Sequence, residues 1–204
     1  MSQSGAPFRP RPAAFRRAVA LTIVIMIALA GWPELPAPTA SAANIAIAQR
    51  EYLIKAAFIY DMIKATRWPK ARSGQVVLCV LGLDPFGAAW QSIKGMRVGQ
   101  RRLDVTPVRP PSGFAGCDAL FVGTSERGRW PHIQAALGAR PVLTISEMAG
   151  FSQDGGMVTL MNVDNRLRFD VNLVAVRKAG LSIDTNALKQ ASTVHAQAAS
   201  ARWR

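Results

Sequence analysis

Residues 75–87 read QVVLCVLGLDPFG, and the first half of this stretch decides the fold. Val76 to Leu81 are apolar without a break, bounded by Gln75 and Gly82. A strand with one wet face alternates apolar and polar residues, whereas an unbroken Val/Leu run between turn residues is the pattern of a strand covered on both faces. Gly82 ends the run. Asp84 then stands at a helix N-cap with Pro85 at the first helical position, so Phe86 to Ile93 is predicted to be helical. Strand, tight turn and helix make the first half of a βαβ unit.

Working outward, Ala48–Arg67 is predicted as a long helix. Its apolar face holds Leu53, Ala56, Ala57, Tyr60 and Ile63, and Lys55, Asp61 and Lys64 fall mostly on the other face. Trp68-Pro69 ends it. Strands are predicted at 101–108, 118–122 and 141–145, with a helix running from Ser125-Glu126 to about Leu137. Asp154-Gly155-Gly156 is a turn that introduces 157–163. Asp164-Asn165 then joins that run to 166–172 as a tight hairpin. Leu173–Ala179 is helical up to Gly180, and a last helix is expected over 184–197, capped by Asp184 or Thr185. The fold class that follows is α/β. It is a single-domain sandwich with a mostly parallel central sheet, a late antiparallel hairpin at its edge, and helices on both faces.

The 204 residues carry a formal charge of +13. Residues 1–43 read as an export signal. Arg9, Arg11, Arg16 and Arg17 precede an apolar run from Ala18 to Gly31, which is short for a membrane span, and Ala40-Ser41-Ala42 offers a small-x-small cleavage site. Cleavage is expected after Ala42; an uncleaved anchor is the alternative. The domain then spans 44–198, with a basic tail at 199–204. The 25 basic and 12 acidic residues lose four arginines and one glutamate with the signal, leaving 21 and 11, a charge of +10. Outside the cytoplasm such a surface faces an anionic membrane or an acidic partner rather than nucleic acid, or is simply solvated.

Cys79 and Cys117 are the only cysteines. In an oxidising compartment they form a pair, since Cys79 lies inside one buried strand and Cys117 just before another. A Cys79–Cys117 disulfide is expected to stabilise the fold by roughly 4 kcal/mol in the chain-entropy account; two buried free thiols are the alternative. Two cysteines with two histidines make no metal pattern.

Candidate chemistry is sparse. Gly82 to Gly87 has the G-x-x-x-x-G spacing of a phosphate loop without the following Lys-Ser/Thr, and Asp84 repels phosphate. Gly123-Thr124-Ser125-Glu126-Arg127-Gly128 approaches a nucleophile elbow, but its second glycine comes one place late. A triad there would need His195 and Asp170; the plainer reading makes Ser125 a helix N-cap. No catalytic, cofactor or metal residues are assigned. Arg166, Arg168 and Asp170 share a face of the 166–172 strand with Asn172, and this face reads either as a recognition surface or as a solvated edge. Tyr52, Tyr60 and Trp68 on the first helix read as core or as anchors for a partner.

The ordered motifs resemble a family. They are Glu51-Tyr52, Lys55-Ala56-Ala57-Phe58, Tyr60 and Trp68-Pro69, then Leu78–Gly82 with Asp84–Gly87. Cys117, Leu120-Phe121, Ser125-Glu126 and Leu143–Ser146 follow. Gly150-Phe151, Gly155–Met157, Arg168-Phe169, Asn172-Leu173 and Ala179–Leu181 complete the set. The chain resembles the YfiR/HmsC-like periplasmic proteins from Gln49 to its last helix. Asp61 and Met62 stand where Asn and Phe are expected, and a second cysteine pair carried by some members is absent. The resemblance implies a non-enzymatic periplasmic regulator, dimeric and without a cofactor. It would repress a membrane-anchored diguanylate cyclase by binding its periplasmic segment, thereby lowering cyclic di-GMP and biofilm formation. Membrane contact would then come through the partner or the basic surface. Tyr60, Trp68, Arg166, Arg168 and Asp170 are the expected partner-binding residues. A periplasmic small-ligand binding module is the alternative function.

Overall fold

A computed structural model describes residues 40–70, 74–109 and 113–196. The expected leader up to residue 39 and the tail at 199–204 lie outside the described residues. The chain opens with α1 (Ala40–Ala65), continues directly into β1 (Thr66–Arg67), and reaches β2 (Val76–Leu81). A 3-10 segment, Gly87–Ser92, leads to β3 (Arg97–Val98) and β4 (Arg101–Val108). A second 3-10 segment, Gly113–Gly116, precedes β5 (Ala119–Val122), and a third, Thr124–Arg129, runs into α2 (Trp130–Leu137). Then come β6 (Leu143–Ser146), β7 (Val158–Val163), β8 (Arg166–Asn172) and α3 (Leu173–Lys178). The described chain closes with β9 (Ser182–Ile183), α4 (Thr185–Leu188) and β10 (Thr193–His195).

Eight strands form one sheet in the order β10-β8-β7-β6-β5-β2-β4-β3; β1 and β9 form a separate two-stranded ladder. β2 pairs in parallel with β4 and β5, β5 with β6, and β6 with β7. β7 and β8 make the antiparallel hairpin. Its turn residues Asp164 and Asn165 take φ of 50° and 60°, the left-handed pair that a two-residue hairpin needs and that Asp and Asn tolerate best among non-glycines.

The unbroken apolar run of β2 is explained by two cores. Val76, Leu78 and Val80 face a core built with α1, the 87–92 segment and α3. Cys79 and Leu81 face a second core with Trp130, Ile133 and Leu137 of α2 and Phe114. Phe121 of β5 and Ile145 of β6 join the first core, while Leu120 and Val122 join the second. The fold is thus the expected α/β sandwich with both faces covered.

Besides the 3-10 start of the 124–137 segment, which becomes α-helical only at Trp130, three elements differ from the sequence reading. The segment after Asp84 is 3-10 rather than α-helical. Gly87, at φ 49°, leaves the right-handed region just after Phe86 and breaks the register an α-helix needs. The expected last helix is a single turn capped by Asp184, and Thr193–His195 then pair in parallel with Asp170–Asn172. Ser192 N–H reaches Phe169 O at 2.8 Å. The free edge of β8 therefore recruits Thr193 and Val194, whose branched side chains suit a strand. The hairpin is consequently internal, with β10 as the edge. Third, the buried stripe of α1 is rotated from the expected one. Leu53 is 46% exposed and Ala57 is exposed, whereas Lys55 is 6% exposed.

Candidate functional site

The two cysteines meet as expected. Cys79 and Cys117 are disulfide-bonded with Cα atoms 5.7 Å apart, because β2 and β5 are hydrogen-bonded neighbours and Leu78 pairs with Ala119. Asp118, next to Cys117, ties this edge together. Its Oδ2 accepts the Val77 N–H at 2.9 Å, and its Oδ1 lies 3.7 Å from Arg101 Nη1. The Trp68 indole N–H donates to Asp118 O at 3.1 Å, and the Arg101 guanidinium stands 6.0 Å above the Trp68 ring.

At the other end of β2 the glycine turn is filled by the chain itself. Asp84 Oδ1 accepts the Phe86 N–H at 2.9 Å and the Trp90 Nε1–H at 3.0 Å. Trp90 stacks on Phe86 at 4.0 Å between ring centroids. Gly82 has φ 88°, and a Cβ there would lie 2.6 Å from Ser125 Oγ and 2.8 Å from Glu126 Cγ. The turn that spacing offered to phosphate is therefore occupied by residues 125–126.

Ser125 does not cap a helix. Gly123 takes the N-cap position, and Ser125 Oγ instead accepts the Leu83 N–H at 2.9 Å. Glu126 is buried and paired with Arg129 at 2.6 Å. His195 lies on β10, four strands from β5 across the sheet, about 19 Å at ordinary strand spacing. Ser125, Asp170 and His195 are not brought together, and among the described residues no cluster of His, Cys, Asp and Glu is arranged to hold a metal.

The expected partner-binding residues fall in separate places. Tyr60 is buried and its hydroxyl donates to Arg97 O at 2.6 Å, toward the β3 edge. Trp68 lies at the amino edge of the parallel strands beside Asp118. Arg166 and Arg168 are exposed on β8. Asp170 is 9% exposed, and its Oδ1 has no hydrogen-bond partner. Asn172 on the same face is an internal fastening: its Oδ1 caps α3 through Ala175 N–H at 3.0 Å, and its Nδ2 donates to Ser152 O at 2.6 Å.

A charged cluster that the sequence did not disclose sits under α1. Buried Lys55 Nζ pairs with Glu51 Oε1 at 2.5 Å and with Glu147 Oε1, and stands 4.6 Å above the Tyr52 ring. The hydrogen bond from Lys55 holds the Glu51 carboxyl below its ordinary range against the opposing effect of burial. Burial alone would pull the Lys55 ammonium down, but the hydrogen bonds and charges of Glu147 and Glu51 together outweigh it and hold the ammonium above the ordinary lysine value. The four-residue spacing of Glu51 and Lys55 is the one sequence signal that could have found half of this cluster. Glu147, 92 positions away along the chain, gave no signal.

A two-faced sheet, a staple between adjacent parallel strands and a charge-locked first helix define a disulfide-stapled α/β sandwich domain. A model of the YfiR/HmsC-like family matches residues 52–192, well over half the chain. The protein belongs to the YfiR/HmsC-like family.

Proposed function

We propose that this protein is an exported, periplasmic, non-enzymatic regulator that represses a membrane-anchored diguanylate cyclase by binding its periplasmic segment. The family match over residues 52–192 carries the reading. The Cys79–Cys117 disulfide supports the compartment, since such bonds form and persist where the surroundings are oxidising. The leader of residues 1–43, cleaved after Ala42, supplies the route. To act as a repressor, the protein binds the inactive state of the cyclase more tightly than the active one, and the difference in the two affinities sets the size of the effect. Arg166 and Arg168, exposed on β8, are proposed contacts for an acidic partner. Homodimerisation belongs to the same reading and is checked by light scattering on the mature chain.

The test is intracellular cyclic di-GMP in a strain lacking the gene, with complementation by the exported form. The expected result is a rise that complementation reverses. An unchanged level under conditions where the protein is made would refute the reading.

A further inference from the structure

The sheet is split at one place. β6 pairs with β5 through all four of its residues, Leu143–Ser146, but with β7 only through Ile145 and Ser146. Beside Thr144 the ladder stops. There the Met157 N–H donates to the Thr144 side chain, at 3.0 Å to Oγ1, rather than to a strand carbonyl. The chain before Met157 is drawn toward α2: the Trp130 indole N–H donates to Asp154 O at 2.9 Å, and the Gln134 amide donates to Gly155 O at 3.0 Å.

The split borders a cleft of about 460 Å³ between α2 and α3. Its walls come from both cores. Trp130 and Leu137 belong to the core under α2, whereas Met157 and Ala179 belong to the core under α1 and α3. The missing rungs beside Thr144 are what let one cleft reach both. Ala135, Gly138 and Ala175 leave the space open because their side chains are too small to fill it. The volume falls in the range of small-molecule sites, about 300–1,000 Å³.

The uncommitted polar side chains of the cleft are mostly donors. Arg140 and Lys178 line it, and both are exposed. Neither takes part in an ion pair among the described residues. None of the lining residues is Asp or Glu. Thr144 is 4% exposed; its oxygen accepts from Met157, and among the described residues its hydroxyl proton meets no acceptor. Carbonyls at the nearby helix ends are already taken: Gln134 O and Leu137 O of α2 accept the Gly138 and Arg140 N–H groups, and Ala175 O of α3 accepts the Ala179 N–H. Two unpaired cations and a buried hydroxyl set among apolar walls fit an anionic head on an apolar body. A carboxylate suits Arg140 in particular, since a guanidinium holds it through two parallel hydrogen bonds. We propose that the cleft between α2 and α3 is a binding site for a small apolar monocarboxylate, with its body against Trp130, Leu137 and Met157 and its carboxylate held by Arg140 and Lys178. This site stands independently of the regulatory reading above.

Isothermal titration calorimetry on the exported chain tests it with two probes, naphthoate and octanoate, against their neutral amides. Saturable binding of at least one carboxylate is expected, with its amide at least about 10-fold weaker. Arg140→Gln with Lys178→Gln changes only exposed side chains, so melting is expected to stay that of the parent. This double variant is expected to bind the carboxylate at least about 10-fold more weakly and to lose the preference over the amide. Ala135→Phe fills the cleft from an exposed position on α2 and is expected to abolish binding. An anion held elsewhere on this basic surface would survive Ala135→Phe, so that variant ties the binding to the cleft. No binding of either carboxylate, equal binding of carboxylate and amide, or an unchanged affinity in either folded variant would each overturn the proposal.

Discussion

At the amino edge of the parallel strands, Asp118 accepts from Val77, stands by Arg101 and offers its carbonyl to Trp68, with the disulfide one residue away. At the carboxyl edge, polar groups are also matched: Ser125 with Leu83, Glu126 with Arg129, Lys55 with two glutamates. The difference lies in the apolar side chains. Phe114, Val142 and both cysteines are buried near the first edge, while Leu53, Ile54, Leu83 and Val163 remain exposed at the second. A fold that needed apolar burial for stability alone would treat both edges alike. The carboxyl edge is stable enough through its polar fastenings to leave an apolar surface in water.

The largest effect expected is at the stapled edge. Replacing both cysteines by alanine releases a loop closed over a sequence separation of 38 residues, which the chain-entropy account values at about 4 kcal/mol. Urea unfolding of Cys79→Ala/Cys117→Ala against the parent measures it. A loss below about 1 kcal/mol would mean that the Asp118 network holds this edge by itself, and the contrast between the edges would then rest on hydrogen bonds.

Lys55→Met probes the fastening of the other edge. The change leaves Glu51 and Glu147 facing each other without their cation. Glu51 is partly solvated, so the cost is expected at about 2–3 kcal/mol at pH 7, below that of a fully buried pair. The sign of its pH dependence follows from Glu51, whose folded-state value is lowered from 4.5. Stability from that shift is present above about pH 4.5 and is lost as pH falls through the folded value. The gap between parent and variant is therefore expected to narrow below that pH in urea titrations at stepped pH. A gap that widens on acidification would refute the assignment.

Gly82→Ala tests the close approach between the β2 turn and residues 125–126. The new Cβ would meet Ser125 Oγ at 2.6 Å from a backbone at φ 88°. Both strain and displacement of the Leu83 N–H bond follow, for about 2 kcal/mol by thermal unfolding. Neutral behaviour would show that this turn yields easily.

These sites also show where the sequence was readable. Val76–Leu81 disclosed a strand buried on both sides, because a run without polar residues leaves no face for water. Asp164-Asn165 disclosed the hairpin, because few other pairs accept two left-handed residues. Cys79 and Cys117 were legible as a pair once their strands were read as neighbours. The α1 face was misread at Lys55, since periodicity sorts residues by polarity and cannot see Glu147 arriving from after β6 to neutralise a buried ammonium. Ser125 was misread for the same reason: its local sequence fits a cap, but the donor it meets is Leu83, 42 residues earlier. The strand at 193–195 was set by the open edge of β8, which no local pattern announces.

The smallest effect expected is the sharpest for the comparison. Ile47→Ser with Ile54→Ser removes two apolar side chains that are 66% and 53% exposed. If the carboxyl edge is stable without them, unfolding free energy changes by no more than about 0.5 kcal/mol, as for surface positions in general. A loss near 2 kcal/mol would show that the pair packs within the domain, and the apolar edge would then be core imperfectly covered. Unchanged stability together with lost repression is the outcome that separates the two edges by purpose, one holding the sheet together and the other offered to a partner.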